Sequence, residues 1–261
     1  MTGLSEWLLK GKIRVKVIKI LKEESSDEED GPPHFTYEGE EGPEHWGELD
    51  ASYETCGTGQ SQSPIDLTGA LEQDLDNIVF HYQPTKIHLV NNGHTVKVNY
   101  DTGSYIEVDG KRYDLLQFHF HAPSENAIDG KLFPIEMHLV HKNDAGQLAA
   151  VGVFFDKGAE STALKPVWDN MPTEEGEKEV DALVNAADLL PSTQSTYRFS
   201  GSLTTPPCTE GVSWFVMATP AEVSDEQISA FEQVYHGNNR PLQPLNGRVL
   251  ILASSPQPLH P

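Results

Sequence analysis

The chain has 261 residues, enough for one large domain or two small ones and for a sizeable core, and its 21 Gly and 18 Pro point to many turns. Acidic residues number 40 against 18 basic ones, a formal net charge of −22, which repels a phosphate backbone and excludes nucleic acid as a partner. No apolar run reaches bilayer-spanning length, and no export signal is recognisable.

Residues 1–33 differ from the rest. Apolar residues of 7–21 are interleaved with Lys10, Lys12, Arg14, Lys16 and Lys19, and 12–17 alternate with period two, as an amphipathic strand does. Residues 23–30 are acidic and serine-rich and run into Gly31, Pro32 and Pro33, the composition of a flexible linker. The basic segment reads either as a tethering or assembly element or as a terminal extension without a role.

From residue 34 to 261 the pattern is that of one domain. β-rich runs recur at 87–91, 95–100, 105–108, 113–121, 135–141, 148–155 and 212–218. Turn signals stand at Asn91, Asn92 and Gly93, at Asp109 and Gly110, and at Asp129 and Gly130. Helical periodicity is confined chiefly to 161–170 and 224–235. In the latter, Ser224 suits the N-cap, and Asp225 and Glu226 suit the positive N-terminal end. The expected fold is mainly β (α+β): a single domain with a large, mostly antiparallel, twisted central sheet and short peripheral helices. Cys56 and Cys208 lie too far apart for a CxxC motif, and their spacing admits two buried thiols or one disulfide.

One constellation carries chemistry. Residues 117–121 alternate strictly, so on a strand His119 and His121 share a face, roughly 6.5–7 Å apart. Phe118 and Phe120 then enter the other face. A second run puts Glu136, His138 and Val140 on one face. If the two strands are neighbours, three imidazoles converge. Three neutral nitrogen ligands with a fourth position open are the coordination of a catalytic zinc, whose bound water supplies hydroxide near neutrality. Gln117 and Glu136 share faces with His119 and His138 and suit the partners that fix ligand tautomers. A lone His-x-His is often no more than a half-buried strand; a third His beside a carboxylate on a matching strand favours the metal.

The motifs go further. Residues 117–125 (QFHFHAPSE), 136–141 (EMHLVH) and 202–208 (SLTTPPC) resemble the α-class carbonic anhydrases. So do 42–46 (GPEHW), 62–66 (QSPID), 91–94 (NNGH) and 238–245 (NNRPLQPL), all in the family's order. The likeness spans about 34–252, and its APS wording and paired cysteines are similar to the bacterial branch.

The resemblance implies reversible hydration of carbon dioxide, with zinc on His119, His121 and His138. This family is itself the type example of zinc acidifying its water to a pKa of about 7. It further implies that Thr204 takes a hydrogen bond from the hydroxide and passes its own proton to Glu125, aiming the nucleophile. Thr205 would line the same pocket, and Val140, Ala150, Leu203, Val212 and Trp214 would form the apolar wall for the gas. His94 would shuttle the proton to buffer, helped by waters ordered by Tyr37 and Asn92. Cys56 and Cys208 would form a disulfide, implying an oxidising compartment, periplasmic or extracellular. Sulfonamides or anions would inhibit at the zinc, ester cleavage would be a side activity, and a homodimer is common in the branch. Inactive binding members of the family typically lack zinc ligands, whereas all three stand here. Asn126, Phe199, Lys97 and Ala150 depart from the usual pattern. Phe199 lacks a Tyr hydroxyl that would bond towards Ser63.

Overall fold

A computed structural model describes residues 33–254. The basic segment and the acidic linker expected within 1–33 lie, apart from Pro33, outside the described residues, as do 255–261.

Among the described residues, thirteen strands form one sheet. In chain order they are β1 (Leu71–Asp74), β2 (Val79–His81), β3 (Thr85–Asn91), β4 (Val96–Asn99), β5 (Tyr105–Val108), β6 (Lys111–His121), β7 (Ile135–Lys142), β8 (Leu148–Lys157), β9 (Gly176–Val184), β10 (Thr196–Ser202), β11 (Glu210–Met217), β12 (Ala221–Val223) and β13 (Ile251–Ser254). The path across the sheet is β1-β13-β10-β11-β8-β7-β6-β4-β3-β9, with β12 beside β8 and β5 joining β2 to β6. β1 with β13, β11 with β8 and β12 with β8 pair in parallel; the other pairings are antiparallel. The sheet is therefore mixed but mostly antiparallel, as expected.

Alternation along β6 and β7 sorts side chains between two faces. Phe118, Phe120, Met137 and Leu139 are fully buried in the larger core, joined by Val151 and Val153 of β8. Phe118 and Phe120 meet edge to face at 5.7 Å, and Phe120 meets Trp168 at 4.7 Å. Burial of such side chains stabilises the fold by about 1.5–3 kcal/mol each. That packing locks the register of β6, and with it the opposite face, which carries the histidines. A smaller core on that other face includes Ala150, Val212, Trp214 and Phe199.

The helices are short. Residues 161–170 were expected to be helical throughout, yet only Lys165–Trp168 is. Pro166 explains the late start, because proline is tolerated only in a first helical turn. Pro172 disfavours helix at Met171. The second helix is Asp225–Glu232, with Ser224 and Gln227 forming a reciprocal capping box. Strands β1, β10 and β13 and the first half of β9 escape the period-two pattern: β1 and the start of β9 are exposed on both faces, and β10 buries Arg198 and Ser202 among its apolar residues.

Cys56, in the helix Glu54–Thr58, and Cys208 form a disulfide with Cα atoms 5.0 Å apart. It sits in a third core with Phe35, Trp46 and Tyr53.

Candidate active site

β6 and β7 are neighbours, and His119 lies directly opposite His138, with His121 opposite Glu136. Ring centroids are 5.1 Å apart for His119 and His121, 5.4 Å for His119 and His138, and 4.7 Å for His121 and His138. One nitrogen from each ring lies within 4.8 Å of the others.

The outward contacts decide which nitrogen each ring presents. Gln117 Oε1 is 2.9 Å from His119 Nδ1. The Asn238 carbonyl is 2.7 Å from His121 Nδ1. Glu136 Oε1 is 3.0 Å from His138 Nε2. The first two acceptors place ring protons on Nδ1 of His119 and His121 and leave their Nε2 lone pairs facing inward, whereas the Glu136 contact lacks hydrogen-bond geometry and His138 Nε2 has no hydrogen-bond partner among the described residues. His121 Nε2 is buried with no hydrogen-bond partner among the described residues. Burial holds all three imidazoles below their ordinary basicity, and for His119 the other two rings and Lys97 add to this. They are neutral donors, the form a metal needs.

Glu136 does more than face His138. Its Oε2 accepts the backbone N–H groups of Glu125 and Asn126, both at 2.8 Å, and its Oε1 accepts the Asn126 side-chain amide at 2.8 Å. Burial pushes its pKa up to about 7 against those bonds. Asn126 Oδ1 in turn accepts the Ile65 N–H at 3.0 Å, so this departure from the usual pattern is fully bonded. Gly152, opposite His138 on β8, leaves room: a Cβ there would stand 3.0 Å from Glu136 Oε1 and 3.2 Å from Val216.

Glu125 accepts the Arg240 N–H on Oε1 at 2.9 Å, and the Thr204 side chain stands close enough to favour its charged form. Its Oε2 lies 3.4 Å from His121 Nε2 and 3.7 Å from His138 Nδ1. Burial pushes its pKa up to about 8, opposed first by the Arg240 N–H and then by Thr204. Arg240 is itself tied to Gln62, Ser63 and Cys56.

A cavity of about 130 Å³ opens on His119 and His138. Gln117, Val140, Ala150, Leu203, Thr204, Thr205, Val212 and Trp214 line it, so every expected substrate-pocket residue converges there. Trp214 meets His138 edge-on at 4.8 Å, donates to the Ser202 carbonyl, and stacks on Phe199 at 6.0 Å. With no hydroxyl on residue 199, Ser63 pairs with Ser202 instead, through Ser63 N–H to Ser202 Oγ at 2.9 Å and Ser202 N–H to Ser63 Oγ at 3.1 Å. A larger cavity, about 400 Å³, lies at Trp168 and Gln227; it shares no residue with the imidazole cluster.

His94 does not line the metal cavity. It borders a separate one of about 210 Å³ with His34, Tyr37, Asn92 and Glu175. Its ring stacks on Phe35 at 3.8 Å, nearly parallel. Burial and His34 hold its basicity below the ordinary value, while Glu175 opposes them. Tyr37 stands edge-on to His94 at 6.5 Å, and its buried hydroxyl has no partner among the described residues. Burial first, then the Glu125 charge, raises the Tyr37 pKa. Asn92 spends its Oδ1 on the N–H groups of His94 and Thr95.

Two functional positions carry no ligand-spacing signal. Asn238 accepts from His121 through its carbonyl, takes the Ala122 N–H on Oδ1, and donates Nδ2 to the carbonyls of His94 and Phe120. Arg240 anchors Glu125 through its backbone. Both sit in 238–245, a recognisable motif whose backbone roles no residue spacing reveals.

Residues 41–254 match the profile of the eukaryotic-type carbonic anhydrases. A carbonic anhydrase from Nostoc sp. is 47% identical over 227 residues, 84% of this chain and 86% of the relative. One from Pectobacterium carotovorum is 46% identical over 220 residues, 84% and 90% of the two chains. The solved α-carbonic anhydrase of Thermovibrio ammonificans, in complex with the inhibitor sulfanilamide, superposes with a TM-score of 0.82 at 46% identity, covering 85% of this chain and all of that one.

Proposed function

Because the chain belongs to the eukaryotic-type carbonic anhydrase family and is an enzyme of that kind, we propose that it interconverts carbon dioxide and bicarbonate on a zinc ion held by Nε2 of His119, Nε2 of His121 and Nδ1 of His138. The observation that carries this reading is three neutral, inward-facing imidazole nitrogens within 4.8 Å of one another, one of them buried without a partner. An all-imidazole set with room for a further ligand fits zinc. The chemistry such a zinc would supply when bound is a water acidified enough to serve as hydroxide near neutral pH, the effect for which this family is the type example.

The chain's own residues supply the rest. Glu125, anchored by the Arg240 N–H, accepts the Thr204 proton and so turns the Thr204 lone pair towards the nucleophile. Val140, Ala150, Leu203, Val212 and Trp214 offer an apolar wall suited to a neutral gas, and Thr205 borders it. His94 carries the product proton outward, with Tyr37 and Asn92 shaping the path beside it. Sulfonamides and small anions inhibit at the metal, a reading supported by the Thermovibrio protein's complex with the inhibitor sulfanilamide, and activated esters are a side substrate.

The Cys56–Cys208 disulfide is compatible with an oxidising compartment, and we assign the enzyme to the periplasm or the extracellular space. Residues 34–261 form the catalytic domain, 1–33 serve in tethering or assembly, and the bacterial likeness favours a homodimer. The decisive experiment is metal analysis with stopped-flow CO2 hydration on wild type and His119→Ala. One zinc per chain and activity lost with the histidine are expected; a metal-free active enzyme, or activity untouched by the substitution, refutes the reading.

A further inference from the structure

Lys97 on β4 pairs across the sheet with His119 on β6. Directly opposed residues on antiparallel strands share a face, with Cβ atoms about 4.5–5.5 Å apart. Its chain neighbours Val96 and Val98 are fully buried in the large core on the other face. Lys97 therefore stands on the imidazole face, half-buried, beside the first ligand of the metal cluster. Among the described residues it has no carboxylate partner within salt-bridge distance. Its charge already acts on His119.

A cation in that position has a chemical use. The whole chain carries 40 acidic against 18 basic residues and so repels an approaching anion. Carbon dioxide is indifferent to that field, but bicarbonate is not. A local positive charge at the metal face offsets the repulsion where it matters, because an unpaired charge in a half-desolvated site is screened less than one in bulk water.

Resting on the metal-site reading above, we propose that Lys97 is a specificity-determining residue, holding the anionic partner of the reaction, bicarbonate, and competing monovalent anions beside the metal. The lysine stem is apolar and long, so packing and charge must be separated. Lys97→Met keeps the stem and removes the charge; Lys97→Arg keeps the charge.

The test is calorimetric titration of the zinc-loaded protein with thiocyanate, at one pH, for wild type and both variants, with zinc content measured in each. Lys97→Met is expected to weaken binding by about threefold to tenfold, Lys97→Arg to restore it, and the gap to close in about 0.5 M sodium sulfate. Equal binding by wild type and Lys97→Met overturns the proposal. So does a loss that Lys97→Arg fails to restore, or one that persists at high ionic strength, since either marks altered packing. A zinc-loaded wild type that binds no thiocyanate sinks this proposal together with the metal-site reading, whereas equal binding leaves that reading standing.

Discussion

Glu136 Oε1 lies 3.0 Å from His138 Nε2, while the same carboxylate takes two backbone N–H groups and the Asn126 amide. One buried group thus faces the ring of His138 and fixes the start of the loop that carries Glu125, and on the proposed reading it orients a metal ligand. Glu136→Gln keeps the volume and loses the charge and one acceptor oxygen. We expect zinc affinity to fall by about 10- to 100-fold, read by competition with a chelator, and affinity equal to wild type would refute the orienting role.

Thr204 meets Glu125, and Glu125 is pinned by the Arg240 N–H at 2.9 Å. Thr204→Ala removes the hydroxyl proposed to aim the nucleophile but none of the proposed metal ligands. The expected result is a loss of about 10²-fold in kcat/KM with zinc content unchanged. Glu125→Gln should behave similarly, because an amide facing Thr204 no longer demands its proton. Full activity in either variant would separate this pair from the reaction.

His94 accepts protons only when neutral, and its basicity is held below the ordinary value by burial and by His34. Its stack on Phe35 at 3.8 Å is part of that burial. In weak buffer, kcat should therefore rise with pH through a midpoint below about 6.5 and be level above it. Phe35→Ala exposes the ring and should move the midpoint upward. His94→Ala should lower kcat in weak buffer and be rescued by added imidazole; turnover indifferent to buffer would remove His94 from the proton route.

His141 is buried on β7 with the Tyr82 hydroxyl 2.9 Å from Nε2, and burial pushes its pKa down to about 3. The folded state holds this ring neutral, while the unfolded chain protonates it near pH 6.5. The unfolded state thus binds the extra proton between those values, and stability falls as pH drops from about 6.5 towards 3. The contribution is present in full above that window. Denaturant unfolding should show a steeper loss between neutral and acid pH for wild type than for His141→Gln, which has no titrating ring. Parallel losses would assign the acid sensitivity to other groups.

Much of the sheet was legible because burial on one face leaves a period of two. β6 and β7 show it, since Phe118, Phe120, Met137 and Leu139 must reach the core. β9 shows it only from Glu179 on, where Val180, Ala182 and Val184 turn inward and Glu179, Asp181 and Leu183 outward, because its first residues, from Gly176, lie exposed on both faces of an edge strand. The helix expected over 161–170 shrank because Pro166 can stand only in a first turn.

For the site, the sequence by itself determined the ligand types, their shared faces, the two polar partners Gln117 and Glu136, and through motif order the reaction class. Side-chain chemistry and strand periodicity are local properties, and they are written residue by residue. The tertiary structure alone decided that β6 and β7 are neighbours in the register that sets His119 against His138. It also decided that His121 leans on the Asn238 carbonyl, that Glu125 is held by the Arg240 N–H, and that Lys97 stands beside His119. Those relationships are carried by backbone groups common to every residue and by contacts between distant strands. Neither leaves a mark on composition or spacing, so only the folded chain could set them.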